Sequence, residues 1–259
     1  MHLKTQIAWW QQQSHNVSTP FEVLLIEVNE TPSDWIAAAL KQTHFQYIHC
    51  PCKGAFHKTK ALNLGLSLAQ GKYVVPYDID LIPIGDTLTR QLSISEQSQG
   101  LLITGYRLMS NYPTVTIDQI PVALEQSSTA PEDQPTALWK HLTRHEKFGV
   151  VPFFCRDRLV EIGGWDEEFI GWGAEDQDMI ERYLQPDWVL CRCPELLYLH
   201  LFHSHEPYWS EPQLIEQNRR HYYNKASHSH FGFGAAQERR ALERQRTEQA
   251  ESQLEAERR

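Results

Sequence analysis

The stretch Ile162–Arg182, IGGWDEEFIGWGAEDQDMIER, constrains this chain more than any other part of it. Glycines at 163, 164, 171 and 173 let the backbone turn sharply and let a ligand lie close against it, which a run of Cβ-bearing residues would resist. From Glu175 the pattern changes: Met179, Ile180, Tyr183 and Leu184 recur at helical spacing, while Glu175, Asp176 and Asp178 fall in the first turn. Carboxylates, glycines and Trp172 therefore converge on a helix N-terminus. Acidic residues at such a position also complement the macrodipole of an ordinary helix, so the rest of the chain has to show whether this is a site.

A chain of 259 residues can bury one substantial core with a small appendage. The expected division is a main domain over 1–230 and a charged tail, helical or disordered, over 231–259, where Glu, Arg, Gln and Ala displace the large apolar residues. A net charge of -9 without any Lys/Arg-rich run argues against nucleic acid as a partner. No stretch reaches transmembrane length, and Met1–Gln13 lacks the apolar run of a signal peptide, so the expectation is a cytoplasmic protein with reduced thiols. The five cysteines form two C-x-C pairs and a lone Cys155, without the usual two-residue spacer of a zinc site.

In chain order, Met1–Gln13 reads as a short amphipathic helix and Phe21–Val28 as a buried strand. Asp34–Leu40 reads as a helix, Gln46–His49 as a strand and Ala61–Ala69 as a helix closed by Gly71. Tyr73–Tyr77 is the next strand, delivering Asp78, Ile79 and Asp80 at its C-terminal end, where α/β sheets place ligands. Leu101–Thr104 follows as a strand, and Tyr112–Leu138, rich in Pro, Ser and Thr, as a long surface loop of the kind that serves as a lid. Lys147–Phe154 returns to the sheet, and Trp188–Cys191 and Leu196–His200 are two further strands. The fold class is α/β.

Two aspartates one residue apart at a strand end suit a hard divalent ion such as Mn²⁺ or Mg²⁺, although a lone D-x-D is a weak signal. Its surroundings sharpen it. The runs FHKTKALNLG and YDIDLIP, followed by G-G-W-D-x-x-F-x-G-W-G-x-E-D-x-D, resemble galactosyltransferase-type and chondroitin-polymerase-like glycosyltransferases of the GT-A fold. The resemblance runs from about Phe21 to Tyr223. It implies a mixed, mostly parallel sheet with helices on both faces. It also implies a first strand ahead of the N-terminal helix, which is not found here, so the expectation is a start upstream of Met1, the alternatives being that another segment fills the gap or that the two neighbouring strands pair directly.

The resemblance further implies residue roles. Phe56 and Lys58 would line the uracil and phosphate pocket, Asp78 would face the nucleotide and Asp80 would bind the metal. His200 would complete the metal shell, with His203 the alternative. Trp172, on a loop freed by Gly171 and Gly173, would stack on sugar. Glu175 would hold the acceptor, and Asp176 would be the catalytic base. The implied activity is metal-dependent, inverting transfer of galactose, N-acetylgalactosamine or N-acetylglucosamine from a UDP-sugar to a glycan or glycolipid hydroxyl, with peripheral membrane association left open. The alternative is a non-catalytic relative that binds a nucleotide-sugar or glycan.

Overall fold

The computed structural model describes residues 2–13, 19–41, 43–112, 115–131, 147–203 and 211–226. The order begins α1 (His2–Gln13), β1 (Val23–Asn29), α2 (Asp34–Leu40), β2 (Phe45–Pro51) and α3 (Lys58–Leu68). It continues through β3 (Tyr73–Val74), β4 (Leu81–Pro83), α4 (Thr87–Gln97) and β5 (Leu101–Met109). After a 3₁₀ turn at Ile117–Gln119 come α5 (Ile120–Glu125), β6 (Ser128–Thr129), β7 (Phe154–Cys155) and α6 (Arg156–Glu161). The order closes with α7 (Glu175–Leu184), β8 (Val189–His200) and α8 (Pro212–Ala226). None of the described helices is long and apolar enough to cross a membrane.

The apolar run read as a buried strand is β1, which pairs in parallel with β2 from Val23↔Phe45 to Asn29↔Pro51. Successive side chains leave a strand on opposite faces. Leu25 packs with Leu3 and Ile7 of α1 and Ile36 and Leu40 of α2. Ile26 points the other way, toward α3, where a Cβ on Gly65 would lie 2.8 Å from its Cδ1. Glycine at that position is what lets α3 come so close. Helices therefore cover both faces of this ladder.

The second long ladder is also parallel: β5 lies against β8, while β4 joins β8 and β6 joins β5 in antiparallel fashion. A short antiparallel pair, β3 with β7, stands apart. The sheet is thus more broken than a mostly parallel reading expects, with parallel pairing confined to the two longest ladders. The two strands expected at 188–191 and 196–200 are one strand, because the polar Arg192–Glu195 interval is a bulge: the register steps from Thr104↔Arg192 to Tyr106↔Leu197. Pro194, which cannot donate to a ladder, sits within it.

No strand precedes β1 among the described residues, and no ladder joins β1 to β3. Between them lies a cavity of about 440 Å³, bounded by Val23–Ile26, by Tyr73, Val75 and Tyr77, and by Trp10 of α1. Among the described residues, the two strands that would flank the missing one therefore do not pair directly. The expected surface loop at 112–138 is corrected in its first half, where the 3₁₀ turn, α5 and β6 form and Val115, Ala123 and Ala130 are buried. Residues 132–146, and the tail over 231–259, lie outside the described residues. All five cysteines are free.

Candidate functional site

The register between β4 and β8 builds the first half of the site. Leu81 stands opposite His200, and Leu201 N–H donates to Asp80 O at 2.7 Å, so the turn that carries Asp80 is held beside the end of β8. Asp80 Oδ2 lies 3.4 Å from His200 Nε2 and 3.2 Å from His203 Nε2. One ligand atom from each of the three side chains falls within 4.8 Å of the others. Among the described residues, Asp80 Oδ1 and His200 Nδ1 are buried without a hydrogen-bond partner. Orphaned buried polar atoms are costly, and a cation at this point would satisfy them. Burial, opposed by Asp80, holds the His200 imidazole below its ordinary range, which favours the neutral ring that ligates metals.

The second half is organised by Lys58, at the start of α3. Its Nζ lies 2.9 Å from Asp176 Oδ2, 3.2 Å from Glu175 Oε1 and 3.8 Å from Asp78 Oδ1. Burial pushes this ammonium down, but Asp176, Asp78 and Glu175 outweigh it and hold it well above the usual lysine range. Glu175 is only 3% exposed and its second oxygen accepts from Gly173 N–H at 2.8 Å. Burial first, and Asp176 second, push its carboxyl above the usual range, with Lys58 opposing. Asp176 and Asp78 are the open members of the group, each with its side chain 55% exposed.

Trp172 is 50% exposed on a loop whose glycines serve conformation: Gly171 and Gly173 have φ of 76° and 114°. The loop is tied from several sides. Gly171 N–H donates to Phe56 O at 2.8 Å and Thr59 Oγ1 donates to Phe169 O at 3.0 Å. Asn63 Nδ2 donates to Trp165 O at 2.8 Å, and Arg182 donates to Ile162 O and Gly164 O. The Phe56 ring remains exposed beside it.

Residues 137–204 match the family profile described as the N-terminal domain of galactosyltransferase. Human chondroitin sulfate N-acetylgalactosaminyltransferase 2 is 32% identical over 118 residues, 44% of this chain and 20% of that protein. Mouse chondroitin sulfate synthase 3 is 26% identical over 174 residues, 63% of this chain and 17% of that protein. The chain thus spans about a fifth of the length of the curated relatives it matches. Among solved structures, TarS of S. aureus superposes with a TM-score of 0.58 at 14% identity, over 91% of this chain and 39% of TarS. The mannosyltransferase PcManGT from Pyrobaculum calidifontis, in complex with GDP-Man and Mn²⁺, gives 0.53 at 13% identity, over 90% of this chain and 75% of that one.

The fold is GT-A.

Within this GT-A chain, Lys58, Asp78, Glu175 and Asp176 come together in one cluster and Asp80, His200 and His203 in another, with the Asp78–Asp80 turn between them. Trp172 and Gly173 adjoin the first cluster through Glu175. Both histidines reach Asp80 Oδ2 through Nε2. Sequence reasoning missed the residues that hold the loop. Thr59 and Asn63 lay inside the FHKTKALNLG run, one helical turn apart, and were readable as a docking face. Asn218, His221 and Lys225 of α8 belong to no motif, and nothing in the sequence marks them.

Proposed function

We propose that the protein is a metal-dependent, inverting glycosyltransferase that moves galactose, N-acetylgalactosamine or N-acetylglucosamine from a UDP-sugar to a hydroxyl of a glycan or glycolipid. The observation that carries this reading is the Asp80–His200–His203 cluster with its two orphaned buried atoms, set one turn from the carboxylates around Lys58. The relatives named for N-acetylgalactosamine transfer to chondroitin sulfate, and the neighbour solved with Mn²⁺, support it. Action in the cytoplasm, with peripheral contact to a membrane where the acceptor is lipid-borne, belongs to the same proposal.

Asp80, His200 and His203 are the residues that would hold the ion. One carboxylate with two imidazoles suits Mn²⁺ better than Mg²⁺, which favours an all-oxygen shell. A divalent ion bound there would neutralise the charge that the departing nucleoside diphosphate gains. Asp176, open to solvent, accepts the proton of the acceptor hydroxyl, a role closed to the buried Glu175. Glu175 instead fixes Lys58 and Gly173, and Lys58 keeps the carboxylates of both motifs in one frame. A single base with no side-chain nucleophile yields inversion. The exposed Trp172 face offers an apolar platform to the C–H surface of a sugar.

A second reading, sugar-nucleotide binding without turnover, is favoured by the cavity between β1 and β3, which stands where the resemblance puts a strand of the nucleotide site. Purified protein with Mn²⁺ and a panel of UDP-sugars, assayed for both binding and UDP release in the presence of glycan acceptors, separates the two. Binding with release supports transfer; binding without release leaves the second reading. Absence of any UDP-sugar binding rejects both.

A further inference from the structure

The loop that carries Trp172 is glycine-rich, yet its backbone is held on consecutive residues. Gly171 N–H is taken by Phe56 O and Gly173 N–H by Glu175. Further contacts come from one side chain on α8. Asn218, 3% exposed, donates through Nδ2 to Ile170 O at 2.8 Å and Trp172 O at 3.2 Å, and its Oδ1 accepts from Ile170 N–H at 3.2 Å. A carboxamide is suited to this, since it presents donors and an acceptor from one planar group.

The helix that brings Asn218 there is itself anchored to the same region. Lys225 Nζ lies 2.5 Å from Asp166 Oδ2 and 2.7 Å from the buried Asp178 Oδ1. His221 Nε2 lies 2.8 Å from Asp166 Oδ2. Burial would push the Asp166 carboxyl up, but Lys225 and His221 hold it far below the usual range, so the anchor is ionic at neutral pH. Tyr222 OH donates to Glu181 Oε1 on α7 at 2.7 Å. These contacts leave the carboxamide little freedom to leave the loop.

We propose that Asn218 is a positioning residue for sugar recognition: it fixes Ile170–Gly173 so that Trp172 is presented in its binding geometry before any ligand arrives. Side chains used in recognition are effective when their supporting contacts remove the cost of ordering them. α8 lies outside residues 137–204, which the galactosyltransferase profile matches. The inference rests on the reading of Trp172 as the sugar platform.

The test compares wild type with Asn218→Ala, Asn218→Asp and Trp172→Ala, alone and in the Asn218→Ala/Trp172→Ala pair. Hydrogen exchange of the free protein reads the loop without any ligand: the Ile170 and Gly173 amides should exchange at least tenfold faster in Asn218→Ala. Calorimetry with Mn²⁺ then compares UDP with UDP-N-acetylgalactosamine as probes. Asn218→Ala should lower the affinity advantage of the sugar nucleotide about tenfold while UDP itself changes less than twofold. In the Trp172→Ala background the same change should add nothing, which a general loss of structure would not reproduce. Asn218→Asp retains the shape and the acceptor for Ile170 N–H, and should loosen the loop with native packing if the alanine variant fails to fold. Unchanged exchange, an equal loss for UDP, or multiplying effects in the double variant would overturn the proposal. A wild type that binds both probes equally would instead reject Trp172 as a sugar platform, and the exchange result would show separately whether Asn218 braces the loop.

Discussion

Lys58 Nζ and Asp176 Oδ2 meet at 2.9 Å across 118 residues of sequence, joining the two motifs that had to be read separately along the chain. The lysine is the cation that lets Glu175, almost wholly buried, sit beside Asp176. Removing one partner of a buried pair leaves the other charge uncompensated. Lys58→Met should therefore destabilise the fold by about 3 kcal/mol, and Lys58→Arg by less, as measured by denaturant unfolding. Equal stability of Lys58→Met and wild type would show that Glu175 is neutral in the folded protein.

Metal binding should depend on both histidines. Asp80→Ala should abolish Mn²⁺ binding, and His200→Ala and His203→Ala should each weaken it by at least about tenfold, the scale reached even by loss of a ligand's supporting contact. Titration of Mn²⁺ by electron paramagnetic resonance reads this directly. A His203→Ala protein with native affinity would remove His203 from the shell.

Asp176→Asn removes the proton acceptor and the charge that faces Lys58 while keeping a side chain of the same shape. Turnover should fall by about 10²–10⁴-fold with UDP and Mn²⁺ affinity intact. Loss of UDP affinity in this variant would give Asp176 a structural role.

Glu181 predicts a pH dependence of stability. Burial pushes its carboxyl up to about 7, against the hydrogen bonds donated by Tyr222 and Gln177 and with Asp178 adding to the rise. The folded value lies above the unfolded one of about 4.5, so the protonated form is favoured by folding. Its contribution is complete below pH 4.5 and is lost as pH climbs to about 7, a loss of about 3 kcal/mol. Thermal melts of Glu181→Gln between pH 5 and pH 8 should show a flatter profile than wild type; an identical slope would exclude Glu181 as its source.

Gly105 lies where the bulge of β8 presses against β5. A Cβ there would sit 2.4 Å from Leu196 O and 2.9 Å from the Tyr198 ring. Gly105→Ala should cost about 1–3 kcal/mol by chemical denaturation. A neutral result would mean that the bulge yields.

The parts of this molecule that were legible in the sequence are those specified locally. Helical spacing after Glu175 corresponds to α7 and the apolar run to β1, although β1 is half-buried rather than buried because Val23–Ile26 border the cavity. Asp80 and His200 were paired only through the family resemblance, because the register that seats them together is a long-range fact. The same limit hid the continuity of β8, where Pro194 and polar neighbours read as an interruption and are a bulge. It also misassigned the stretch around Ile120–Glu125, whose short helix draws its stability from burial of Ala123 rather than from a long amphipathic pattern. Glycines at 171 and 173 marked the loop, and both take positive φ; the contacts of Gly173 N–H with Glu175 and of Asn218 with Trp172 O are long-range or side-chain facts that the glycines do not announce.

The cavity beside β1 has a consequence for how the molecule comes apart. Among the described residues the β1/β2 layer shares no ladder with the rest, and it is fastened by α1, by α3 and by the bonds of Glu22 to the Gln70 and Gly71 amides. Backbone ladders are what make neighbouring strands open together, and a layer without one forms its own cooperative unit with a lower opening free energy. Mild heat would then release the N-terminal layer while Asp80, His200 and His203 stay assembled on the β4/β8 pair, so the cation would outlast the first cooperative step of unfolding.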